Sequence, residues 1–362
     1  MADKGDVTLS PSVAQAIAGA ESAAARKRQL DERVAGAAEP LPLGLHFGLP
    51  AEQHHADSGL GSSAIRALAD NPFNYWFNYL NPDRTDDGDD TVSRVNGRAL
   101  HVLLYEGERE FERYFLCGPD QRGMSTAEKQ ASTKAANKTA ANIGRECLKR
   151  DAWTRIFMAH ALITKNPELA TVFTGGMSEV TFIWEKVVDG MPVRCKARFD
   201  YLKPVTRGQA RIIAVGDLKS VANQYSMEFK RACRGAVRAY RYHVQAAHYL
   251  EAAALVPQAL KSGNFIRHGG PSLVLDEGGF LSRCAVAQHV GWQWIFHQTT
   301  GAPLTFSYYL SPGNPLLEEG RGIADRALAA YVENVRKHKP GEMWLMIEKP
   351  EELSAEEMGW QP

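Results

Sequence analysis

What the chain lacks narrows the field first. Its five cysteines, at 117, 147, 195, 233 and 284, include no CxxC pair. That spacing points to neither a zinc ribbon nor a compact disulfide framework, and no iron–sulfur cluster is expected, since a cluster needs four thiolates converging on one site. The expectation is reduced thiols, with Cys195 and Cys233 as small buried residues. No apolar stretch reaches membrane-spanning length, and residues 1–25 never join a basic start to an apolar run. Neither a membrane span nor a signal peptide is expected, and the setting is read as the cytoplasm. A GxxxxGK[ST] loop and a GxSxG elbow are both missing, which sets aside nucleotide hydrolysis on a phosphate loop and α/β-hydrolase chemistry. Net charge is missing too: 42 Lys and Arg balance 42 Asp and Glu. No global field draws a polyanion, so contact with phosphate must come from local patches.

What is present suffices for a large core in a chain of 362 residues with ordinary apolar and charged fractions. Residues 1–45 are rich in Ala, Glu, Lys and Arg and run into "EPLPLGLHFGLP", which suggests a loosely attached helix and a linker. The expected organisation is an appendage and linker over 1–55, one domain over 56–345 and an acidic tail over 346–362. In "GLGSSAIRALADNPFNYWFNYLNP", Ser62 or Ser63 is placed to cap a helix that Asn71-Pro72 ends, with Phe73, Tyr75, Trp76, Phe77 and Tyr79 expected in the core. "RTDDGDDT" reads as a surface loop, and "VNGRALHVLLYEGEREFERYF" as a helix carrying His101. Over 122–155, Lys134 with Lys138 and Arg145 with Lys149 are spaced four apart and predict a basic helical edge, either a solvated face or a DNA-contacting arm.

The most informative block follows. "SEVTFIWEKVV" alternates polar and apolar residues, "DG" supplies a tight turn, and "MPVRCKARFDYL" returns as a second strand. After "TRGQ", the apolar "RIIAVGDLKS" reads as a third, more buried strand. Residues two apart on a strand share a face, so Asp217 and Lys219 stand side by side while Leu218 turns into the core. Asp200, ending the second strand, can meet Asp217 across the sheet, and Glu179 on the first strand can add a third carboxylate. Hard oxygen ligands of this kind suit Mg²⁺, with Mn²⁺ as a substitute. A D-x-K triplet alone is a short pattern that chance produces often; its setting gives it weight.

That setting includes a helix expected over 226–255, "EFKRACRGAVRAYRYHVQAAHYLEAA". At about 100° per residue, Arg231, Arg234, Arg238, Arg241, Tyr242, Gln245 and Tyr249 fall in one sector and Val237, Tyr240, Val244 and Ala247 opposite. Guanidinium groups match phosphate in bidentate geometry, so the stripe is read as a DNA-contacting surface, the alternative being a solvated face. Later strands are expected in "SRCAVAQHVGWQWIFHQ" and "PLTFSYYLS", with Trp292, Trp294 and Phe296 in the core or at an interface rather than serving as base-stacking platforms, and a helix in "LLEEGRGIADRALAAYVENVRKH". His243 and His248 lie off the stripe and are not taken as ligands.

At these residues the chain resembles the RecE-type exonucleases (exonuclease VIII) of the PD-(D/E)XK superfamily, found in phages and prophages. The resemblance covers residues 58–340 and is carried by "GLGSSAIRALADNPFNYWFNYLNPD", "GRALHVLLYE", the run from "SEVTFIW" through "RFDYL" to "GDLKS", and "YRYHVQAAHY". It implies an α/β restriction-endonuclease-like core, a central mixed sheet flanked by helices. It further implies Asp200 and Asp217 as main metal ligands, His101 in a G-x-x-x-H helix as a ligand or neighbour of the metal, the Leu218 carbonyl as an added ligand, and Lys219 as the catalytic lysine. Glu179 matches the family's first-strand glutamate, and Gln245 with Tyr249 its Q-x-x-x-Y helix, a DNA contact. Two positions depart from the pattern: Phe199 precedes Asp200 where the family has proline, and Ser220 follows Lys219 where threonine is usual. The implied activity is Mg²⁺-dependent digestion of double-stranded DNA ends, 5′ to 3′, in a bacterial host cell. Its implied partners are a RecT-type annealing protein and further copies in a ring. A nickase or structure-specific endonuclease, and a catalytically silent DNA-binding protein, are the alternatives.

Overall fold

The structure is a computed structural model that describes residues 40–84, 92–223, 227–268 and 277–345. The expected N-terminal helix, nearly all of the acidic "RTDDGDDT" loop and the acidic tail lie outside the described residues. A seven-stranded sheet forms the centre. In chain order its strands are β1 (Gly44–Phe47), β4 (Met177–Val188), β5 (Met191–Arg207), β6 (Ala210–Val221), β7 (Phe265–Arg267), β8 (His289–Gln298) and β9 (Thr305–Leu310). A separate parallel pair joins β2 (Phe115–Cys117) to β3 (Glu146–Leu148). The spatial order is β7-β1-β4-β5-β6-β8-β9, with β4, β5 and β6 antiparallel and β8 parallel to β6. This is the mixed sheet flanked by helices that the sequence leads one to expect.

The hairpin forms as its turn chemistry dictates. Asp189 and Gly190 both take positive φ, 48° and 76°, the twist a two-residue turn needs to match strand twist, and Val188 pairs with Met191. Three segments differ from expectation. Gly44–Phe47, expected as linker, is a strand held between β4 and β7, with Leu45 and Phe47 in the core; four residues are too short for periodicity to reveal. The helix expected over 226–255 is two helices, α9 (Phe229–Ala239) and α10 (Tyr242–Lys261), because Arg241 adopts the left-handed conformation at φ 49°. Its packing face is Ala232, Cys233 and Ala236, while Tyr240, expected inward, is exposed. Arg145 and Lys149 do not share a helical edge with Lys134 and Lys138: α6 (Thr126–Asn142) ends first, and β3 runs between the two later residues.

Helices cover both faces. On one, α2 (Ser62–Asp70), α9, α10 and α12 (Pro315–Lys337) pack on the large cluster containing Trp292, Trp294 and Phe296, as expected for those aromatics. On the other, α4 (Val92–Tyr105) and α7 (Arg150–Thr164) enclose Leu218 and Ile295. Cys195 and Cys233 are fully buried as expected, whereas Phe77 and Tyr79 are largely exposed rather than core. A glycine sets one close contact: Gly320 of α12 abuts the His243 carbonyl so tightly that an added Cβ would lie 2.4 Å from it.

The sheet forks at one place. The β5–β6 ladder stops at Tyr201 opposite Gly216, so the next pair in that register, Asp200 and Asp217, faces across the opening. The vacated edge of β5 is taken by Leu60, whose N–H donates to the Arg194 carbonyl at 2.9 Å and whose own carbonyl accepts from Lys196 N–H at 3.1 Å. His248 of α10 meets the Lys196 carbonyl at 3.2 Å. Backbone groups that would otherwise be buried without partners are thereby satisfied, which is what makes the fork tolerable.

Candidate active site

The carboxylates come together at the fork. On β4 the core cluster takes Val180, Phe182 and Trp184 but, on the other side of Glu179, Met177; on β5 it takes Cys195, Ala197 and Phe199, then Leu202. The alternation therefore skips a residue on both strands, and Glu179 sits at the skip with φ 56°. A left-handed non-glycine residue costs about 1 kcal/mol, a strain often stored at functional sites. The register on either side brings Glu179 opposite Asp200.

Asp217 is 1% exposed. Lys219 Nζ lies 2.8 Å from both of its carboxylate oxygens, and Gln245 Nε2 donates to Oδ1 at 3.1 Å. Oδ2 is buried and, beyond that ionic contact, accepts no hydrogen bond. Asp200 Oδ2 accepts from the Leu218 N–H at 3.0 Å, filling the place of the missing ladder bond. His101, on α4, stands between the acids, with Nε2 3.5 Å from Asp200 Oδ2 and Nδ1 4.0 Å from Glu179 Oε1. Glu179 is paired with Arg198. The Tyr242 ring lies 5.0 Å under the Lys219 ammonium.

Burial governs the electrostatics. It pushes Asp200 and Asp217 each up to about 6 against the pull of Lys219. It also pulls Lys219 down, but the Asp217 and Asp200 charges outweigh it and hold the ammonium above its ordinary range. His101 is lowered by the same burial. Two buried acids on one opening favour either protons or a cation. Between about pH 4 and 6 the folded chain keeps protons that the unfolded chain has released, so the stability present below that range is lost as pH rises through 6, and above it the buried charges oppose folding. The buried histidines His54, His248 and His297, lowered to about 3, 4 and 3, act the opposite way, so the test is a difference. In EDTA, Asp200→Asn should melt above the wild type at pH 8, with the gap narrowing at pH 5; a gap independent of pH would contradict the assignment.

Among the described residues no three His, Cys, Asp or Glu side chains already stand at ligating distance from one point. The donors nonetheless fit a hard divalent cation at Asp200 and Asp217: both are buried oxygen ligands held at elevated pKa, and Asp217 Oδ2 lacks a hydrogen bond. Glu179 and His101 contact other groups in this arrangement.

The site adjoins a cleft of about 1130 Å³ whose wall includes His101, Glu179, Arg198, Ser220 and Tyr242. Asp217 and Lys219 lie behind that wall, with side chains 1% and 16% exposed. One flank of the cleft is the small-residue face of α9: Ala232, Gly235, Ala236 and Ala239. The expected arginine stripe is not gathered at the carboxylates. Arg231, Arg234 and Arg238 are exposed on α9, before the break, Arg234 donating to the Tyr308 hydroxyl at 2.9 Å, and Arg241 lies 3.7 Å from Asp70. Gln245 does reach Asp217, whereas Tyr249 packs on Phe199 and Trp292.

Sequence reasoning missed Arg198, two residues before Asp200 on its strand, a spacing that could have flagged it. It missed Tyr105, one helical turn after His101, whose ring meets His101 edge-on at 5.2 Å and whose buried hydroxyl has no partner. It also missed His297, 2.7 Å from the Ser220 hydroxyl, for which no local pattern exists.

No family model matches the chain, and no curated protein does. Among solved structures it is similar to a candidate exonuclease from Eubacterium rectale, at 12% identity and a TM-score of 0.47, over 84% of this chain and 97% of that one. It is also similar to the protein SSO0001, at 9% identity and a TM-score of 0.23, over 78% and 88% of the respective chains.

Proposed function

We propose that the chain is a metal-dependent DNA exonuclease acting through Asp200, Asp217 and Lys219. The observation that carries this is the fork: two buried acids facing across it, Asp217 held by Lys219 at 2.8 Å, next to a cleft large enough to admit a strand. Asp200 and Asp217 would hold the cation, and the resemblance adds Glu179, His101 and the Leu218 carbonyl as further ligands. When bound, Mg²⁺ supplies Lewis-acid polarisation of a phosphodiester and a more acidic water.

The remaining roles belong to the chain. Gln245 holds Asp217 Oδ1 and so fixes the carboxylate plane. Lys219, fully charged at neutral pH, stabilises negative charge on the phosphate and orients the attacking water. Arg198 turns Glu179 along the cleft wall. The small residues of α9 let a sugar-phosphate backbone approach, and Arg231, Arg234 and Arg238 on its exposed side offer bidentate phosphate contacts. On the resemblance to RecE-type enzymes, the substrate is a duplex end, polarity is 5′ to 3′, a ring of copies encloses the DNA, and an annealing protein receives the exposed strand.

The test is time-resolved digestion of end-labelled linear duplex beside covalently closed circular DNA, in Mg²⁺ or EDTA. Loss of the linear species alone, and only with Mg²⁺, is the expected result, and the order of label release gives the polarity. Cutting of the circle would replace the reading with an endonuclease; binding without cleavage would replace it with a silent DNA-binding protein.

A further inference from the structure

One aromatic side chain on the wall of the catalytic cleft stands largely in the open. Tyr240, the residue that closes α9, is 58% exposed and lines the cleft together with Tyr242, the first residue of α10. Their rings stack with centroids 5.5 Å apart and planes 28° from parallel. Tyr242 in turn carries the Lys219 ammonium 5.0 Å from its ring centroid. A line of contacts therefore runs from the lysine beside the buried acids, through one cleft-wall tyrosine, to a second that is exposed.

The strained residue between the two tyrosines makes the pair. Residues two apart on a helix point about 200° apart and cannot stack. With Arg241 at φ 49°, α9 ends and α10 starts afresh, and the two rings come to one side. Arg66 of α2 holds the turn, its Nη1 donating to the Tyr240 carbonyl at 2.8 Å. A left-handed non-glycine residue costs free energy, and strain of this kind collects at functional sites; here its product is a ring displayed on the cleft instead of packed. Before it, Ala232, Gly235, Ala236 and Ala239 present little bulk along the same wall. That wall offers a strand room for its backbone and then one flat apolar surface.

We infer that Tyr240, backed by Tyr242, is a stacking platform for an unpaired nucleobase of the strand held in the cleft. This rests on the nuclease reading and specifies its substrate: a nucleotide next to the scissile phosphate is single-stranded while it occupies the site. A base inside a duplex has both faces covered by neighbouring pairs, so only a base released from pairing offers a face to the ring. Every base has a π-face, so such a platform is indifferent to sequence. Tyr242 stiffens it, its own ring being held against Lys219.

The test is made in EDTA, so that binding is read without hydrolysis. A short single-stranded oligodeoxynucleotide is titrated with the full chain, carrying 2-aminopurine at each position in turn and, in a second set, an abasic residue at each position. Wild type is compared with Tyr240→Ala and Tyr240→Phe. The side chain is exposed, so both variants should fold, which thermal melting checks. The expected result is quenching of 2-aminopurine at one position by wild type and Tyr240→Phe but not by Tyr240→Ala, which binds roughly tenfold more weakly. An abasic residue at that position should weaken wild type by a similar factor and leave Tyr240→Ala unchanged. No binding of the single strand, equal affinities in all three proteins, or a Tyr240→Phe protein as weak as Tyr240→Ala would overturn the platform. A wild type that quenches through Tyr240 but digests no DNA in Mg²⁺ would support the platform while removing the nuclease reading. Digestion without quenching at any position would do the reverse.

Discussion

Lys219→Met should lower the rate of DNA digestion by roughly 10²–10⁴-fold, the range for loss of a positioned proton-transfer or charge-stabilising group, with DNA binding in EDTA nearly unchanged. The side chain lies 2.8 Å from both oxygens of a carboxylate that is 1% exposed. Its removal therefore also strips a buried acid of its counterion, at a cost of about 3–5 kcal/mol. That second effect could mimic the first by unfolding the chain. The double variant Lys219→Met/Asp217→Asn separates them, since it removes both buried charges and keeps an oxygen for Gln245 Nε2. It should recover the melting temperature and stay inactive. Digestion at the wild-type rate by a folded Lys219→Met protein would remove Lys219 from the chemistry.

Asp57→Ala should be the most damaging single change away from the cleft. Its carboxylate is fully buried, receives Arg194 Nε at 3.1 and 3.2 Å, and accepts from Gly59 N–H at 2.8 Å. Arg194 lies on the edge of β5 that β6 has left, the edge that Leu60 occupies. Lys196, on the same edge, donates to the carbonyls of His54 and His55 at 2.8 and 3.2 Å. Alanine leaves a mostly buried guanidinium without its carboxylate, with only the Leu41 carbonyl still accepting from it, and frees the segment that covers the fork. A loss of about 3–5 kcal/mol is expected, or roughly 6–10 °C in melting temperature at about 2 °C per kcal/mol. Arg194→Met/Asp57→Ala, which removes both charges, should lose less than Asp57→Ala alone. If Asp57→Ala melts like the wild type, this network does not hold the fork.

Comparison of particular elements shows what a local pattern can carry. The hairpin around Asp189-Gly190 and the strand bearing Asp217 were legible because alternation and turn chemistry are properties of adjacent residues. Trp292, Trp294 and Phe296 were legible as core for the same reason. The αL break at Arg241 was not, because the helical pattern runs through it unbroken, and no glycine or proline marks the place. Nor was the burial of Gly44–Phe47, four residues whose strand character comes only from neighbours on both sides.

The sequence by itself determined that Asp217 and Lys219 share one face of a strand, since the two-residue period is built into the backbone. It also determined that Glu179 and Asp200 lie on the two arms of a hairpin, because the tight turn between them sets the register. Only the tertiary structure decided that β5 and β6 part between Asp200 and Asp217, that His101 enters from a helix on one face while Gln245 enters from a helix on the other, and that the expected arginine stripe is not gathered at the carboxylates. Those arrangements arise from contacts between residues far apart in the chain, and no window of neighbouring residues carries the free energy that selects them.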